Sequence, residues 1–559
     1  MKTLPRNAKR RRNENESIAR ILQMTRIPGS GQLQSFIRDI RLLVLFVVKG
    51  FCVFGFWFLV CSFSSAAPLD NITTDSWIYD AVDYLKTTGY IKSIPPTSKP
   101  WTRQEVINLL QESNINKSYN NPQAGFYINR LLREFSDDLL MDIHIARYKP
   151  VAKINYGSGD VFINLYGQLV HSKLPYWLTP YGNNIFPDNQ TVSGGIIFNL
   201  DHNSKISLFH HSELTYYRKK IYDTTDANIF HVLGMRVMES SNIITYDVKE
   251  AYLSFPFYFL TVELGRDYLY LGPGYRSSVL LSNIAPSMDQ IQLRTGNKNY
   301  KALWFVSTLS SWYYYHRFLS GQRLEFNLGR HIKLGGTMLA VYSFDSLQTK
   351  GFWGYLNPLI PIYEEVANTG HDDNLLIGFD FVTYIKQCKI YGQFLLDNYE
   401  FNHRTNRPPN AYGLTLGTYF PYSQFAMRAE YSKITRYTYY HRILHIAYTS
   451  YSVPLGHSLG PDADELFLRF EYYPVAKLRL NFVASLTRRG DGNRGDLDNK
   501  TWEAGEALPT TFPSGTVEKT ILVGPEIYYQ PRVDLRVLAG IYYNNDKKVN
   551  SFIRLEYRY

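Results

Sequence analysis

Ile553-Arg554-Leu555-Glu556-Tyr557-Arg558-Tyr559 closes the chain, with Ile553, Leu555, Tyr557 and Tyr559 at alternate positions and Arg554, Glu556 and Arg558 between them. In a strand, successive side chains point to opposite faces, so one face here is uniformly apolar and the other charged. Just upstream, Leu478, Leu480, Phe482, Ala484 and Leu486 alternate with Arg479, Asn481, Val483 and Ser485. Val533, Leu535, Val537, Ala539 and Ile541 alternate in the same way with Asp534, Arg536, Leu538, Gly540 and Tyr542. A soluble sandwich and a membrane barrel both alternate, so connection lengths have to separate them. Tight connections are expected at Pro421-Tyr422, Pro474-Val475 and Pro531-Arg532, with long segments between them at 436–462 and 488–515. Short turns alternating with long loops are the pattern of an outer-membrane barrel, with turns periplasmic and loops extracellular.

The rest of the chain agrees. Aromatic residues make up 16% of 559 residues, with 46 Tyr and 33 Phe. Tyrosine places a ring in the apolar layer and a hydroxyl at the membrane–water boundary. Eighteen to twenty candidate strands lie between residues 151 and 559, and the terminal Tyr559 resembles the signal read by barrel-assembly machinery. The predicted fold class is therefore mainly β, a transmembrane antiparallel β-barrel of about 18 strands with a small N-terminal α-helical bundle.

Three segments are expected: a leader over 1–67, a periplasmic helical domain over 68–148 and the barrel over 149–559. The leader holds eleven Lys/Arg against three Asp/Glu, so most of the formal +11 charge belongs to it. The remaining 49 basic and 46 acidic residues leave no footprint for nucleic acid. Leu42–Phe63 is apolar and is followed by Ser64-Ser65-Ala66-Ala67, which reads as an export signal cleaved after Ala66 or Ala67. A retained anchor is the alternative, and Met24 is a second possible start. In the helical segment, Trp77, Ile78, Ala81, Val82 and Leu85 recur at helical spacing, and Thr102–Glu105 has capping-box spacing. A third helix is expected from Pro122 to Met141.

Several runs carry a resemblance. They are Gly265-Arg266-Asp267-Tyr268-Leu269-Tyr270-Leu271-Gly272-Pro273-Gly274-Tyr275-Arg276, continuing to Pro286; Leu356-Asn357-Pro358-Leu359-Ile360-Pro361 with Asp372-Asp373-Asn374-Leu375-Leu376; and Pro454-Leu455-Gly456-His457-Ser458-Leu459-Gly460-Pro461-Asp462-Ala463-Asp464-Glu465. In this order they resemble the capsule assembly protein Wzi family, which usually carries Trp where Leu271 stands. The resemblance implies an eighteen-stranded outer-membrane barrel with a helical bundle at its periplasmic end. It also implies a lectin-like role in attaching capsular or extracellular polysaccharide to the surface.

Sugar recognition uses paired hydrogen bonds from Arg, Asp and Asn and aromatic faces that stack on a pyranose. The matched runs supply Arg266, Asp267, Tyr275, Arg276, Asp373, Asn374, Asp462 and Asp464 as candidate polysaccharide ligands. The structural reading of the same residues is as turn formers and interior braces. Gly490–Asn499 looks like a calcium loop but fails the EF-hand spacing at Gly495 and Asp496. His210 and His211 are adjacent and would face opposite sides of a strand. The aromatic runs Trp312–Tyr315 and Tyr437–Tyr440 read as interfacial girdle rather than a sugar platform. No motif calls for a cofactor, a metal or catalysis. Expected partners are surface polysaccharide, outer-membrane lipid and barrel-assembly machinery. The alternative functions are a porin or solute channel, and an enzyme built into the barrel.

Overall fold

A computed structural model describes residues 69–113, 121–136, 151–155, 159–172, 189–202, 206–217, 243–284, 286–311, 315–344, 355–369, 373–398, 410–451, 453–493, 510–532, 534–545 and 549–558. The leader and its cleavage point lie outside these residues.

Three helices come first: α1 (Trp77–Thr87), α2 (Arg103–Gln111) and α3 (Pro122–Glu134). Each starts on a side-chain cap that satisfies otherwise unpaired N–H groups. Ser76 caps α1, and Asn121 accepts from the N–H of Gln123 and Ala124 ahead of α3. The capping box at α2 forms as the spacing predicts: Glu105 N donates to Thr102 Oγ1 at 3.2 Å, and Thr102 N donates to Glu105 Oε2 at 2.9 Å. α3 is shorter than predicted. It stops at Glu134, where Phe135 turns into the core and Ser136 Oγ donates back to the Arg133 carbonyl. The helices bury Val82, Leu85, Val106, Leu110, Ile128 and Leu131 together with Tyr419, Ala426 and Tyr473 of the sheet.

The sheet is a closed antiparallel barrel of 18 strands. In chain order they are β1 (Gly159–Ser172), β2 (Asn189–His202), β3 (Ile206–Tyr217), β4 (Ile243–Phe257), β5 (Leu260–Asp267), β6 (Met288–Gly296), β7 (Tyr300–Thr308), β8 (His316–Leu328) and β9 (Ile332–Phe344). The second half comprises β10 (Asn374–Ile385), β11 (Cys388–Asn398), β12 (Ala411–Tyr422), β13 (Phe425–Ile434), β14 (Ala463–Val475), β15 (Leu478–Arg489), β16 (Glu518–Tyr529), β17 (Leu535–Asn544) and β18 (Val549–Arg558). Closure comes from β18 against β1, in register from Phe552↔Ser172 to Arg558↔Tyr166. Ala152–Asn155 adds a short strand on the length of β1 that β18 leaves uncovered.

The connections at one end of the barrel are all five residues or fewer, and the long ones all fall at the other end, where the four residues between β17 and β18 are the one short connection. The turns at Pro421-Tyr422 and Pro474-Val475 sit two residues later than predicted. Pro421 and Tyr422 still pair with Ala426 and Phe425, and the turn residues are Ser423-Gln424; likewise β14 runs on through a bulge to Val475. Proline marked the neighbourhood of each turn but sits inside the strand end. Tyr258, Lys386 and Ser423 take positive φ as first residues of two-residue turns, the twist that suits a hairpin.

Burial is inverted relative to a soluble protein. On β14, Phe470 is 51% exposed, whereas its neighbours Arg469 and Glu471 are 0% and 3% exposed. On β18, Ile553, Leu555 and Tyr557 face out while Arg554 and Glu556 are buried. An apolar outer band on a closed barrel is the β architecture that a bilayer accepts, because no backbone edge is left unpaired in lipid.

The charged face needs partners, and it has protein ones. Arg323 pairs with Asp380 (2.7 Å) and Glu325 (3.1 Å), Arg469 with Glu526 (3.2 Å), and Arg294 with Glu263 (2.7 Å). Such charges stay ionised out of water only when paired and hydrogen-bonded.

Candidate functional site

The lumen is filled from both ends. From the short-turn end, Asp83 on α1 pairs with Lys389 (2.7 Å) and Arg428 (3.1 Å), and Asp80 pairs with Arg479 (3.2 Å). Burial alone would raise both carboxyls, but the surrounding cations outweigh it and hold them below the ordinary aspartate value. The segment before α1 enters the barrel. Asn71 Nδ2 donates to Glu263 (2.6 Å) and Asp267 (2.7 Å), and Arg294 donates to Asn71 Oδ1 (2.9 Å). Between α1 and α2, the N–H groups of Thr97 and Ser98 donate to the two oxygens of Glu325.

From the long-loop end, residues 268–284 fold inward and meet that segment edge to edge. Ser98 and Lys99 pair antiparallel with Leu271 and Tyr270, and Gly272 N donates to the Thr97 carbonyl at 3.0 Å. The reversal that follows depends on Gly272-Pro273-Gly274. Gly272 has φ +107°, and a Cβ on Gly274 would collide with the Ser277 carbonyl. Residues 435–462 close over this loop. Tyr439 and Tyr448 donate to the carbonyls of Val279 (2.9 Å) and Leu280 (2.7 Å), and Ser282 N donates to the Leu455 carbonyl (2.8 Å). Leu271, Val279, Leu280, Leu281, Tyr439, Tyr448 and Leu455 form an apolar core against Phe305, Leu319, Leu339 and Val341 on the inner wall.

Tyr437–Tyr440 is therefore not interfacial girdle. Tyr439 and Tyr440 are buried: Tyr439 packs in the core with the loop that folds inward, and the Tyr440 hydroxyl donates to the Gly492 carbonyl at 2.9 Å. Of Trp312–Tyr315, Tyr315 alone lies among the described residues. Its ring stacks on His445 at 3.9 Å with 1° between planes, joining the loop before β8 to the loop over 435–462. The same two loops are tied by Tyr451 N donating to Ser310 Oγ at 2.7 Å.

The eight candidate ligands scatter through this architecture. Tyr275 and Arg276 come together: their N–H groups donate to the two oxygens of Glu430 (2.7 and 2.9 Å), and the Arg428 guanidinium lies 3.9 Å from the Tyr275 ring centre. The Arg276 guanidinium pairs with Glu465 at 3.3 Å, and the Tyr275 hydroxyl accepts from Arg469. Asp267 is buried and accepts from Asn71 and from Tyr268 N. Asn374 donates to the Ile446 carbonyl at 3.0 Å, and Asp373 accepts from Tyr355. Asp464 pairs with Arg488 and accepts from Tyr431 at 3.0 Å.

Asp462 is fully buried at φ 55°, and its carboxylate accepts from Gly492 N (2.9 Å), Ser514 N (2.9 Å) and Ser514 Oγ (2.5 Å). It thus pins the loop after β15 to the loop after β13. Three of the eight continue the outward parity of their strands at the rim: Arg266, in a bidentate pair with the exposed Asp289 (2.8 and 2.9 Å), Asp464 beside Arg488 and Tyr431, and Asp373 beside Tyr355. Spacing and residue type singled out two loops that meet in the lid, 268–284 and the run ending at Glu465. They did not distinguish buried braces such as Asp462 from exposed side chains such as Arg442, because that depends on which loop covers which.

Comparison with known proteins follows this geometry. A family model described as capsule assembly protein Wzi matches residues 183–342 and 362–550. The runs at 265–286 and 454–465 lie inside the matched spans, and Leu356–Pro361 lies in the gap between them. No curated protein matches the sequence. A solved structure described as Wzi, an outer-membrane protein involved in group 1 capsule assembly in Escherichia coli and a carbohydrate-binding β-barrel, is 14% identical. That likeness covers 87% of this chain and 98% of that one, with a TM-score of 0.59. Acinetobacter baumannii OccAB2 is 11% identical over 72% of this chain and 99% of its own, at a TM-score of 0.41. Pseudomonas aeruginosa OprD is 8% identical over 71% and 94%, at 0.39. At these identities the likeness concerns the fold.

Proposed function

The chain belongs to the capsule assembly protein Wzi family, and from that premise we propose that it binds capsular or extracellular polysaccharide on the long-loop face of an outer-membrane barrel, without catalytic turnover. The observation that carries this reading is the filled lumen. The N-terminal segment and the loop 268–284 pair edge to edge inside the barrel, so the surface available to a polymer is the outward side of a rigid lid. Function on loops held by a stiff scaffold is the common arrangement in binding proteins.

In this reading the eight predicted residues divide by role. Arg266 contacts polymer at the rim. Asp267, Tyr275, Arg276, Asn374 and Asp462 hold the lid in shape, while Asp464 and Asp373 brace the outer rim through Arg488, Tyr431 and Tyr355. The contact surface then includes Arg442 and the stacked Tyr315–His445 pair, which offer a cation and flat rings to sugar hydroxyls and ring faces. The helices face the periplasm, and the N-terminal leader directs export.

The test is binding of purified barrel to the host's own surface polysaccharide beside an unrelated glycan. Saturable binding that weakens in Arg442→Ala and His445→Ala, with the heat-modifiable band of a folded barrel intact, supports the reading. Folded barrel that binds neither polymer overturns it. The solute-channel alternative predicts steady conductance steps in a planar bilayer, which a filled lumen does not give.

A further inference from the structure

Residues 355–369, between β9 and β10, do not join the lid. They run down the outside of the barrel. Helix α4 (Ile362–Thr369) buries Ile362 against Ala340 and Tyr342, with Phe318, Met338, Val366 and Leu375 around them. The strand residues in that set sit on the same parity as exposed Leu324 and Phe326 of β8 and Leu334 of β9, so they belong to the outer face.

Gln322 fixes the depth. It is an outward-facing amide on β8, and from the short turn at Gly329 the strand climbs roughly 18 Å along the membrane normal to reach it, at ~3.3 Å per residue and ~40° of tilt. The apolar band of such a barrel is about 25 Å tall, so Gln322 stands within it. A bare amide there would go unsatisfied in lipid. Instead Gln322 Nε2 donates to the carbonyls of Ile360 (2.7 Å) and Pro358 (3.3 Å), and Ile362 N donates to Gln322 Oε1 (3.2 Å).

The segment's backbone suits the same surroundings. Pro358 and Pro361 carry no N–H, Leu359 N donates to Asn357 Oδ1 (3.0 Å), and the Pro361 carbonyl accepts from Glu364 (2.9 Å) and Glu365 (3.1 Å). Two side chains point away from the barrel: Leu359 is 89% exposed and Tyr363 is 56% exposed.

We propose that residues 355–369 form a strap in the leaflet at the long-loop end, anchored on Gln322, with Leu359 and Tyr363 inserted among lipid chains. The occupant of this face is lipid because the strap is continuous with the lipid-facing band beside it, where Leu324, Phe326, Phe379 and Phe381 are exposed. Tyr363 then sits as an interfacial aromatic, with exposed Glu364 toward the headgroups.

The test uses spin labels at Leu359→Cys and, independently, Tyr363→Cys, in a full chain whose Cys52, Cys61 and Cys388 are serine. The barrel is reconstituted in phosphatidylcholine–phosphatidylglycerol vesicles. Collision with oxygen reports lipid, and collision with a neutral nickel chelate reports water. The oxygen-to-nickel ratio at both sites should match that of Leu324→Cys on the band and exceed severalfold that of Lys298→Cys in a short turn. A ratio like that at Lys298 overturns the proposal, as does spin–spin broadening, which would put a second copy on this face. With the label at 359, Gln322→Leu should narrow the spectrum as the strap loosens on a still-folded barrel. An unchanged spectrum removes Gln322 as the anchor.

Discussion

Asp83→Asn tests how the helical bundle is held in the barrel mouth. The Asp83 carboxylate faces Lys389 at 2.7 Å and Arg428 at 3.1 Å, with side-chain exposures of 15%, 12% and 4% for the three groups. Asparagine keeps the shape and removes the charge, leaving two largely desolvated cations with a neutral partner. Breaking a buried ion pair in this way costs about 3–5 kcal/mol. The lower figure is roughly 150-fold in the ratio of docked to undocked bundle, at ~1.4 kcal/mol per tenfold. Hydrogen exchange read by mass spectrometry on the reconstituted barrel should show α1 amides around Val82 and Leu85 exchanging about two orders of magnitude faster, with strand peptides of β14 and β15 unchanged. Adding Arg428→Met should recover part of the loss, since an apolar replacement removes a stranded charge. Acid should mimic the substitution. Asp83 is held below the ordinary aspartate value, burial being outweighed by Lys389 and Arg428. Its contribution is therefore complete above the free-aspartate pKa of about 4 and is lost as pH falls below that. Exchange at α1 that is indifferent both to Asp83→Asn and to acid would refute the reasoning, and would leave docking to packing against Tyr419 and Tyr473 and to the hydrogen bonds of Asn71, Thr97 and Ser98.

Three further outcomes are expected. Asp462→Ala removes the acceptor for three hydrogen bonds and leaves alanine at φ 55°, so proteolysis should cut the loop after β15 readily; Asp462→Asn, which tolerates that φ, should be markedly milder. His457 is buried in the lid with its pKa pulled down to about 3, first by burial and then by Arg276, and its Nδ1 accepts from Leu459 N. A depressed histidine pKa means that lid stability, full above the free value of about 6.5, falls as pH drops toward 3; near-ultraviolet dichroism of the tyrosines should report this, and His457→Gln should flatten the profile. On the outer face, Phe470→Arg, about halfway up the apolar band, should destabilise the barrel by about 2–4 kcal/mol, measured by urea unfolding in vesicles, whereas Thr487→Ala on the inner face should cost less.

The candidate site was half legible. Gly272-Pro273-Gly274 and Pro454–Glu465 named the two loops that build the lid, because a tight reversal needs glycine and proline whatever surrounds it. The roles inside those loops were not legible. Asp462 and Arg276 have the chemistry of sugar ligands, yet their hydrogen-bonding capacity is taken up by Ser514, Gly492 and Glu465. Those partners lie 52, 30 and 189 residues away in sequence, and no local pattern records them.

By itself the sequence determined what depends on neighbours along the chain: period-two strands with one apolar and one charged face, the cap at Thr102–Glu105, and the division into short turns and long loops. Each follows from backbone geometry that repeats within a few residues. The tertiary structure decided what meets what across the barrel. The charged face, which alternation alone leaves without partners, is a surface paired with Asp80, Asp83, Asn71 and Thr97 from the N-terminal segment and sealed by two loops from the opposite end. The loop carrying Leu359 lies outside the barrel instead of within it because Gln322 gives its backbone a polar anchor there. Burial inverts only once the sheet closes, and closure is a property of the whole ring of strands rather than of any one of them.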